Sequence, residues 1–163
     1  MKDKNRKIYY LIIFYSIFQA AMAVLAYRFY AKKEFVRFVH AALSTNNYRL
    51  IAIIILLSII VVSSILAFVL SNIFASIFKF FLKKEQISKE DLQLYFSCYL
   101  IISSSQPLFS LLGAETYKIF LSPSNILASL FLGLMIYMKS KNIAKSIFIL
   151  ICTYLFQLLL AFL

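Results

Sequence analysis

The residues of this 163-residue chain that are best suited to chemistry carry no charge and lie around a proline. Ser103, Gln106 and Ser110 follow one another at intervals of three and four residues, so a helix would place all three on one face. Pro107 has no N–H, which frees the carbonyl oxygen of Ser103 and predicts a kink in that helix. Such groups can hydrogen-bond to a neighbouring helix, or they can bind a headgroup, an ion or a small solute.

Other uncharged polar residues occur in neighbouring apolar segments. Gln19 lies in the first segment, while Asn125, Ser129 and Gly133 recur at every fourth position of a later one. This spacing predicts a small, polar seam for another helix. We expect all these groups to form interhelical hydrogen bonds, and the alternative is a small polar cavity that binds a ligand.

The sequence lacks the residues that several classes of membrane protein and enzyme require. No charged residue lies in the middle of an apolar segment, which argues against a proton-coupled transporter, a voltage sensor and an intramembrane aspartyl protease. His40 lies in a connection, away from the serines that a serine protease would require. Cys98 and Cys152 are expected to pack as small hydrophobic residues. The sequence therefore predicts a protein that is not an enzyme and that binds no cofactor or metal.

The composition predicts a membrane protein. The chain is 63% hydrophobic, whereas soluble domains average about 45–50% apolar residues. Apolar runs long enough to cross about 30 Å of hydrocarbon recur along most of the length. We expect a single all-α bundle, a polytopic integral membrane domain with five transmembrane helices. The predicted spans are residues 8–27, 50–78, 92–112, 123–138 and 144–163.

Local signals specify some helix ends and packing faces. Ser88 and Asp91 form a capping box at the start of the third span, and Pro123 suits the first turn of the fourth. In the second span, small residues form a ridge suited to close packing of another helix. The ridge consists of Ser64, Ala67, Ser71 and Ala75.

Residues 28–49 form the longest connection and have an amphipathic pattern. Phe35 and Phe38 share a helical face with Val39 and Ala42, and basic residues lie largely away from it. The pattern predicts a helix in the membrane interface that contacts lipid, and a partner-binding helix is the alternative. The basic residues at issue are Lys32, Lys33 and Arg37, together with His40.

The net charge of +11 reflects basic residues at the ends of apolar runs. Since nucleic-acid binding requires a continuous basic surface, we expect no such partner. With five spans, 11 basic residues fall on the side of the N-terminus and 6 on the other. The positive-inside rule then predicts a cytoplasmic N-terminus and a C-terminus on the opposite side of the cell membrane. A re-entrant hairpin around Pro107 and Pro123 would reverse the C-terminus.

Three stretches of the second half are similar to parts of a known family. They are "IFKFFLKKEQISKEDLQ", "YFSCYLIISSSQPLF" with an early tyrosine and a late proline, and "GLMIYMKSKNIAKSIFIL". Residues 50–163 thereby resemble the Yip1 family of five-span membrane proteins, which act in vesicle traffic in eukaryotes. The missing N-terminal domain and the basic loop depart from the eukaryotic pattern. The Lys- and Ile-rich composition with short loops suggests a bacterial protein, hence an inner-membrane one.

These observations lead to two expectations about function. The first is a membrane-organising, adaptor or complex-assembly component that acts through helix–helix contacts. Its partners would be the bilayer and other membrane proteins or a second copy of the chain. The alternative is a small carrier or channel subunit whose polar site is the helix break at Ser103, Gln106 and Pro107. A phage or toxin-immunity membrane protein is a third interpretation.

Overall fold

A computed structural model describes residues 2–44, 47–82, 87–111 and 122–162. These segments form seven helices and no strand, so the prediction of an all-α fold is confirmed for them. The helices are α1 (Lys2–Tyr30), α2 (Lys32–Leu43), α3 (Tyr48–Phe81), α4 (Lys89–Ser103), α5 (Gln106–Leu111), α6 (Pro123–Ser140) and α7 (Ile143–Phe162).

Two of these helices are long and apolar enough to cross a membrane. The qualifying segments are Asp3–Arg28 of α1 and Arg49–Phe81 of α3, and α7 contributes a shorter apolar segment, Ile143–Phe156. Only 6% of the most apolar part of α3 is buried within the protein. Burial in a protein core therefore does not account for the composition of α3.

The helix boundaries differ from the predicted spans in informative ways. Helices α1 and α3 extend past both ends of spans 8–27 and 50–78. Two helices, α4 and α5, stand where one helix was expected over 92–112. They are separated at Ser104 and Ser105, just before Pro107, which cannot donate the next helical hydrogen bond. Residues 45, 46, 112 and 163 of the predicted segments lie outside the described residues.

Helix α4 occupies the centre of the bundle and contacts α1, α3 and α6, while α7 packs on α6. Helix α1 runs parallel to α4, since Lys4 at its start contacts Asp91 at the start of α4. Helix α6 runs antiparallel to α4, since its start contacts the end of α4 through Asn125 and Ser103.

The small-residue ridge of α3 forms its packing face. Ala67, Ser71 and Ala75 are almost completely buried. Ser64 donates a hydrogen bond to Ser16 of α1 over 2.7 Å, and Ser16 in turn donates to the carbonyl of its own helix. Small side chains thus let the two long helices approach closely, while their hydroxyl groups keep partners.

Aromatic rings join the second half of α3 to α4 and α7. Phe74 stacks on Phe96 of α4 with ring centroids 4.1 Å apart, and it meets Phe156 of α7 edge-on at 4.9 Å. Phe96 also stacks on Tyr99 at 5.0 Å. We call Phe74, Phe96, Tyr99 and Phe156 the aromatic cluster. Such ring pairs contribute about 0.5–1.5 kcal/mol each beyond their buried area.

The start of α4 is fixed by a cap and an ion pair. Ser88 Oγ accepts a hydrogen bond from the backbone N–H of Asp91 over 3.1 Å. Lys4 Nζ donates to Asp91 Oδ1 over 2.8 Å. Partial burial alone would raise the pKa of Asp91, but hydrogen bonds from Lys4 and Ser88 outweigh it and hold the pKa below its usual value.

Helices α6 and α7 are joined by Lys141 and Asn142 and pack closely at Gly133. Lys141 has a left-handed backbone with φ of 55°, and Asn142 Oδ1 accepts from the N–H of Lys145 in the first turn of α7. A Cβ atom added to Gly133 would lie 3.2 Å from Leu150 Cδ1. The approach of these two helices therefore depends on a small residue at this position.

Substitutions at Gly133 test this close approach. We expect Gly133→Ala to be nearly neutral, because the end of the Leu150 side chain can shift and alanine favours a helix by up to about 1 kcal/mol. Gly133→Leu should destabilise the protein by about 1–3 kcal/mol, because it forces α6 away from α7. Thermal unfolding in mild detergent measures both effects, and equal melting temperatures for the two variants would contradict the packing described.

The pH dependence of stability tests the contact between Lys4 and Asp91. Because folding lowers the pKa of Asp91, its contribution is present above the unfolded pKa of about 3.9 and is lost as pH falls through the folded pKa. We expect Asp91→Asn to lower the melting temperature at pH 7, and the difference from wild type to shrink below about pH 4.

Asp3→Asn provides the matched control for this experiment. Asp3 pairs with Lys7 over 3.4 Å, but both side chains are more than half exposed. Exposed pairs contribute little, so this variant should melt as the wild type does at every pH. A pH-independent difference between Asp91→Asn and wild type would count against the ion pair as its cause.

Candidate functional site

Polar side chains lie opposite one another at three successive levels where α4 and α5 meet α6. We call this group the polar seam. Because α4 and α6 are antiparallel, a step of about one turn along α4 is matched by a step back along α6. The seam consists of Gln106 with Ser122 and Ser124, Ser103 with Asn125, and Tyr99 with Ser129.

The first level ties the start of α5 to the start of α6. Gln106 Oε1 accepts hydrogen bonds from Ser122 Oγ and from Ser124 Oγ, the latter over 2.8 Å. The two serine oxygens lie 2.7 Å apart, and both residues are almost completely buried. Ser122 precedes Pro123 at the N-cap position, yet its hydroxyl is used for Gln106 and not for capping. One amide oxygen thus holds two segments that are remote in sequence.

The second level joins the last residue of α4 to the first turn of α6. Ser103 Oγ donates to Asn125 Oδ1 over 3.0 Å. Helix α4 ends here because the backbone turns at Ser104 and Ser105, whose hydroxyls bond to the carbonyls of Ile101 and Ile102. Serine side chains therefore satisfy backbone groups beside the interruption, as an apolar environment requires.

The third level has unused hydrogen-bonding capacity. Tyr99 Oη and Ser129 Oγ are buried, with residue exposures of 3% and 2%. They interact with each other, but neither forms a hydrogen bond of normal geometry with a described residue. A buried polar group without a partner costs about 1–3 kcal/mol. Paired hydroxyls of this kind can donate to or accept from a small polar molecule.

Gln19 brings α1 to the same region. Lys4 and Asp91 lie at the same level of the bundle, because they form an ion pair. Gln19 lies 15 residues after Lys4, and Gln106 lies 15 residues after Asp91. Helix α1 also contacts both α4 and α5. Gln19 therefore lies near the level of Gln106, and its buried Oε1 also has no hydrogen-bond partner in the described part of the chain. Toward the Asp91 end, the seam finishes at Tyr99, whose ring belongs to the aromatic cluster.

The structure distributes the sequence-predicted polar residues among different contacts. Ser103, Gln106, Asn125 and Ser129 belong to the polar seam, whereas Gly133 packs against α7. Pro107 is the second residue of α5. Ser110 lies in α5 as well, but its side chain is outside the described residues.

Sequence reasoning missed Ser122, Ser124 and Tyr99 as members of the seam. The signal was present, because the two serines flank Pro123 and Tyr99 lies four residues before Ser103. A tyrosine inside an apolar run attracts little notice, since its ring packs as a hydrophobic group.

The predicted interface residues lie on and around α2. Lys32, Lys33 and Arg37 are exposed. Phe35 is half-buried and meets the ring of Tyr27 edge-on at 5.7 Å, whereas Phe38 is 42% exposed. The two phenylalanines of α2 therefore differ in their packing, and the ring of Phe35 contacts the end of α1.

Residues with metal-binding or nucleophilic side chains are dispersed in the described segments. No three of the histidine, cysteine, aspartate and glutamate residues there are arranged to hold a metal ion. Cys98 and Cys152 are half-buried free thiols. The polar seam, by contrast, brings uncharged polar side chains of three helices into contact.

A double-mutant cycle measures what the first level of the seam contributes. We expect Gln106→Leu to lower the stability in detergent, because it leaves the buried hydroxyls of Ser122 and Ser124 without their acceptor. The loss should be about 1–3 kcal/mol. Adding Ser124→Ala to Gln106→Leu should cost less than Ser124→Ala does alone, since the shared hydrogen bond is already absent. Strict additivity would show that the two side chains do not interact.

Comparisons with known proteins supply no relative from which a role could be transferred. Neither protein-family models, nor curated proteins, nor solved structures match this chain. The function must therefore be inferred from the helices, their exposed surfaces and the polar groups that they carry.

Proposed function

We propose that this protein is a multi-pass membrane component that is not an enzyme and that assembles or organises other membrane proteins through helix–helix contacts. The observation that carries the proposal is an asparagine in a groove on the outer surface of α3. The membrane placement of α3, the groove itself and the orientation of the bundle support it in turn.

The length of α3 and the positions of its basic residues support a membrane placement. Arg49 and Lys79 lie 30 residues apart, which corresponds to about 45 Å along a helix. A bilayer with its headgroup layers is about 40–45 Å thick. Between these two residues α3 carries no charge, and large apolar side chains from Leu50 to Leu66 are exposed. Lipid hydrocarbon is the environment that suits such a surface.

The proposal includes five spans with a cytoplasmic N-terminus. Helices α1 and α3 would cross the membrane together with α6, α7 and the interrupted pair of α4 and α5. In support, the described parts of three basic segments lie at one end of the bundle. These segments are the start of α1, the link from α3 to α4 and the link from α6 to α7. Lys4 contacts Asp91, and Phe81 packs against Phe148 of α7 with ring centroids 5.4 Å apart.

The groove on α3 has the features of a helix-docking surface. It is a shallow groove of about 460 Å³, lined by Lys89 of α4 and by residues of α3. The α3 residues are Phe68, Val69, Asn72, Ile73, Ser76 and Ile77. Ser76 donates to the backbone carbonyl of Asn72 over 2.8 Å, but the Asn72 amide makes no hydrogen bond in the described part of the chain. An amide facing lipid gains a partner when another transmembrane helix docks there. The resemblance to the Yip1 family suggests a similar recruiting role.

The alternative, a small carrier or channel subunit, is favoured by a different observation. Gln19, Tyr99 and Ser129 each have a buried oxygen atom that forms no hydrogen bond of normal geometry with a described residue. A polar solute that enters the seam would supply those partners. Under this alternative, Gln106→Leu should abolish flux through reconstituted vesicles while the protein remains folded.

Purification in a gentle detergent tests the proposed function. The tagged protein should be recovered with a stoichiometric membrane-protein partner, or as a defined oligomer, when the material is identified by mass spectrometry. Asn72→Leu should weaken that association roughly 3- to 20-fold, the range expected for one interhelical hydrogen bond.

The control is Ser58→Leu, which places leucine on α3 outside the groove. Ser58 is exposed, and its hydroxyl bonds within its own helix, to the carbonyl of Ile54. This variant should associate as the wild type does. A wild-type chain that is monomeric both in gentle detergent and in a bilayer, with lipid as its sole companion, would refute the assembly role.

A further inference from the structure

The junction of α1 and α2 forms an elbow that contains a groove. The backbone bends at Ala31, yet hydrogen bonds continue across it, from Ala31 N to Tyr27 O over 3.1 Å and from Phe35 N to Ala31 O over 2.8 Å. The groove encloses about 450 Å³ and is lined by Arg28, Lys32, Phe35 and Val36. Because hydrogen bonds persist through the bend, the backbone holds these four residues on one side of the elbow.

The basic side chains of the elbow have no acidic partner among the residues that the structure describes. Arg28, Lys32, Lys33 and Arg37 form no ion pair with any carboxylate in the described part of the chain. Glu34 is the one acidic residue of α2, and it also forms none. Within the described segments, the elbow is thus a positively charged surface without a paired carboxylate.

The distance along α1 places this charge at a particular depth. Arg28 follows Lys4 by 24 residues, which corresponds to about 36 Å of helix. The hydrocarbon core is about 30 Å thick, and the headgroup layers bring the total to about 40–45 Å. With Lys4 in one headgroup layer, Arg28 therefore lies in the opposite one, at the level of lipid phosphates.

The remaining walls of the groove are apolar. Phe35 is held against Tyr27 at 5.7 Å, and Val36 is 46% exposed. A free anion would gain nothing from these walls. A phospholipid would use them, because its glycerol and first methylene groups follow directly after the phosphate.

We propose that this elbow binds the phosphate of an anionic phospholipid, with Arg28 and Lys32 pairing with the phosphate oxygens. Phe35 and Val36 lie against the glycerol and the first methylene groups of the acyl chains. This inference rests on the membrane placement of the proposed function, but not on the helix-docking groove of α3. It would fix the end of α1 in the leaflet opposite to Lys4.

Lipid binding to the purified full-length protein tests the proposal. Phosphatidylglycerol and phosphatidylcholine with identical acyl chains are added in detergent, and native mass spectrometry counts the retained molecules. Wild type should retain phosphatidylglycerol preferentially. Each cation near the phosphate contributes about fivefold in affinity. The double variant Arg28→Gln/Lys32→Gln removes two such cations, so it should bind phosphatidylglycerol about 25-fold more weakly. Phosphatidylcholine retention should remain unchanged.

A matched variant removes the same charge from the other end of the bundle. It combines Lys139→Gln with Lys141→Asn, because asparagine tolerates the left-handed backbone at position 141. This variant should retain phosphatidylglycerol as the wild type does. An equal loss in both variants would reveal general electrostatic attraction and overturn the specific site, as would equal retention of the two lipids by wild type.

Two further outcomes separate the possible failures. Displacement of phosphatidylglycerol by an equal concentration of inorganic phosphate would show a simple anion site and refute lipid recognition. If the elbow variant keeps its lipid but the wild type still co-purifies with a membrane partner, the elbow proposal fails and the proposed function stands. A protein that stays soluble and folded without detergent would refute both.

Discussion

The structure depends on the pairing of polar groups in its apolar interior, because a buried polar group without a partner costs about 1–3 kcal/mol. Helix α4 stops at Ser103, and the chain resumes as α5 at Gln106. The start of α6 lies at the same level, so serine hydroxyls from its first residues meet the Gln106 amide oxygen. An interruption that would be costly alone is thereby stabilised by another helix terminus. This pairing holds the start of α6 against the end of α4.

Helix packing elsewhere follows from the same constraint, because polar groups are small and bond locally. Ser16 and Thr153 are fully buried, and each donates to a carbonyl of its own helix. They act as small residues that permit close approach without leaving a donor unused. Shape complementarity then comes from large rings, chiefly the aromatic cluster around Phe74. Tyr99 joins both systems, since its ring stacks in the cluster while its hydroxyl lies in the seam.

Features that depend on nearby residues could be predicted from the sequence. The all-α fold follows from composition, and the Ser88 cap and the α3 ridge follow from local spacing. Features that depend on residues distant in the sequence could not be predicted from it. The regular spacing of Ser129 and Gly133 suggested one seam, but Ser129 lies opposite Tyr99 of α4 and Gly133 packs against α7. Helix α6 lies between two neighbours, and a four-residue repeat does not indicate which neighbour each residue meets.

The two ends of α1 meet the need for charge compensation in different ways. At one end, Lys4 pairs with Asp91, which the cap of α4 holds in place. At the other, Arg28 and Lys32 border an apolar groove and have no carboxylate partner in the described chain. A cation paired within the protein fixes one helix against another, whereas an unpaired cation at headgroup depth gains most from an anion of the bilayer. On the proposed placement, protein contacts therefore position the first end of α1, and lipid positions the second.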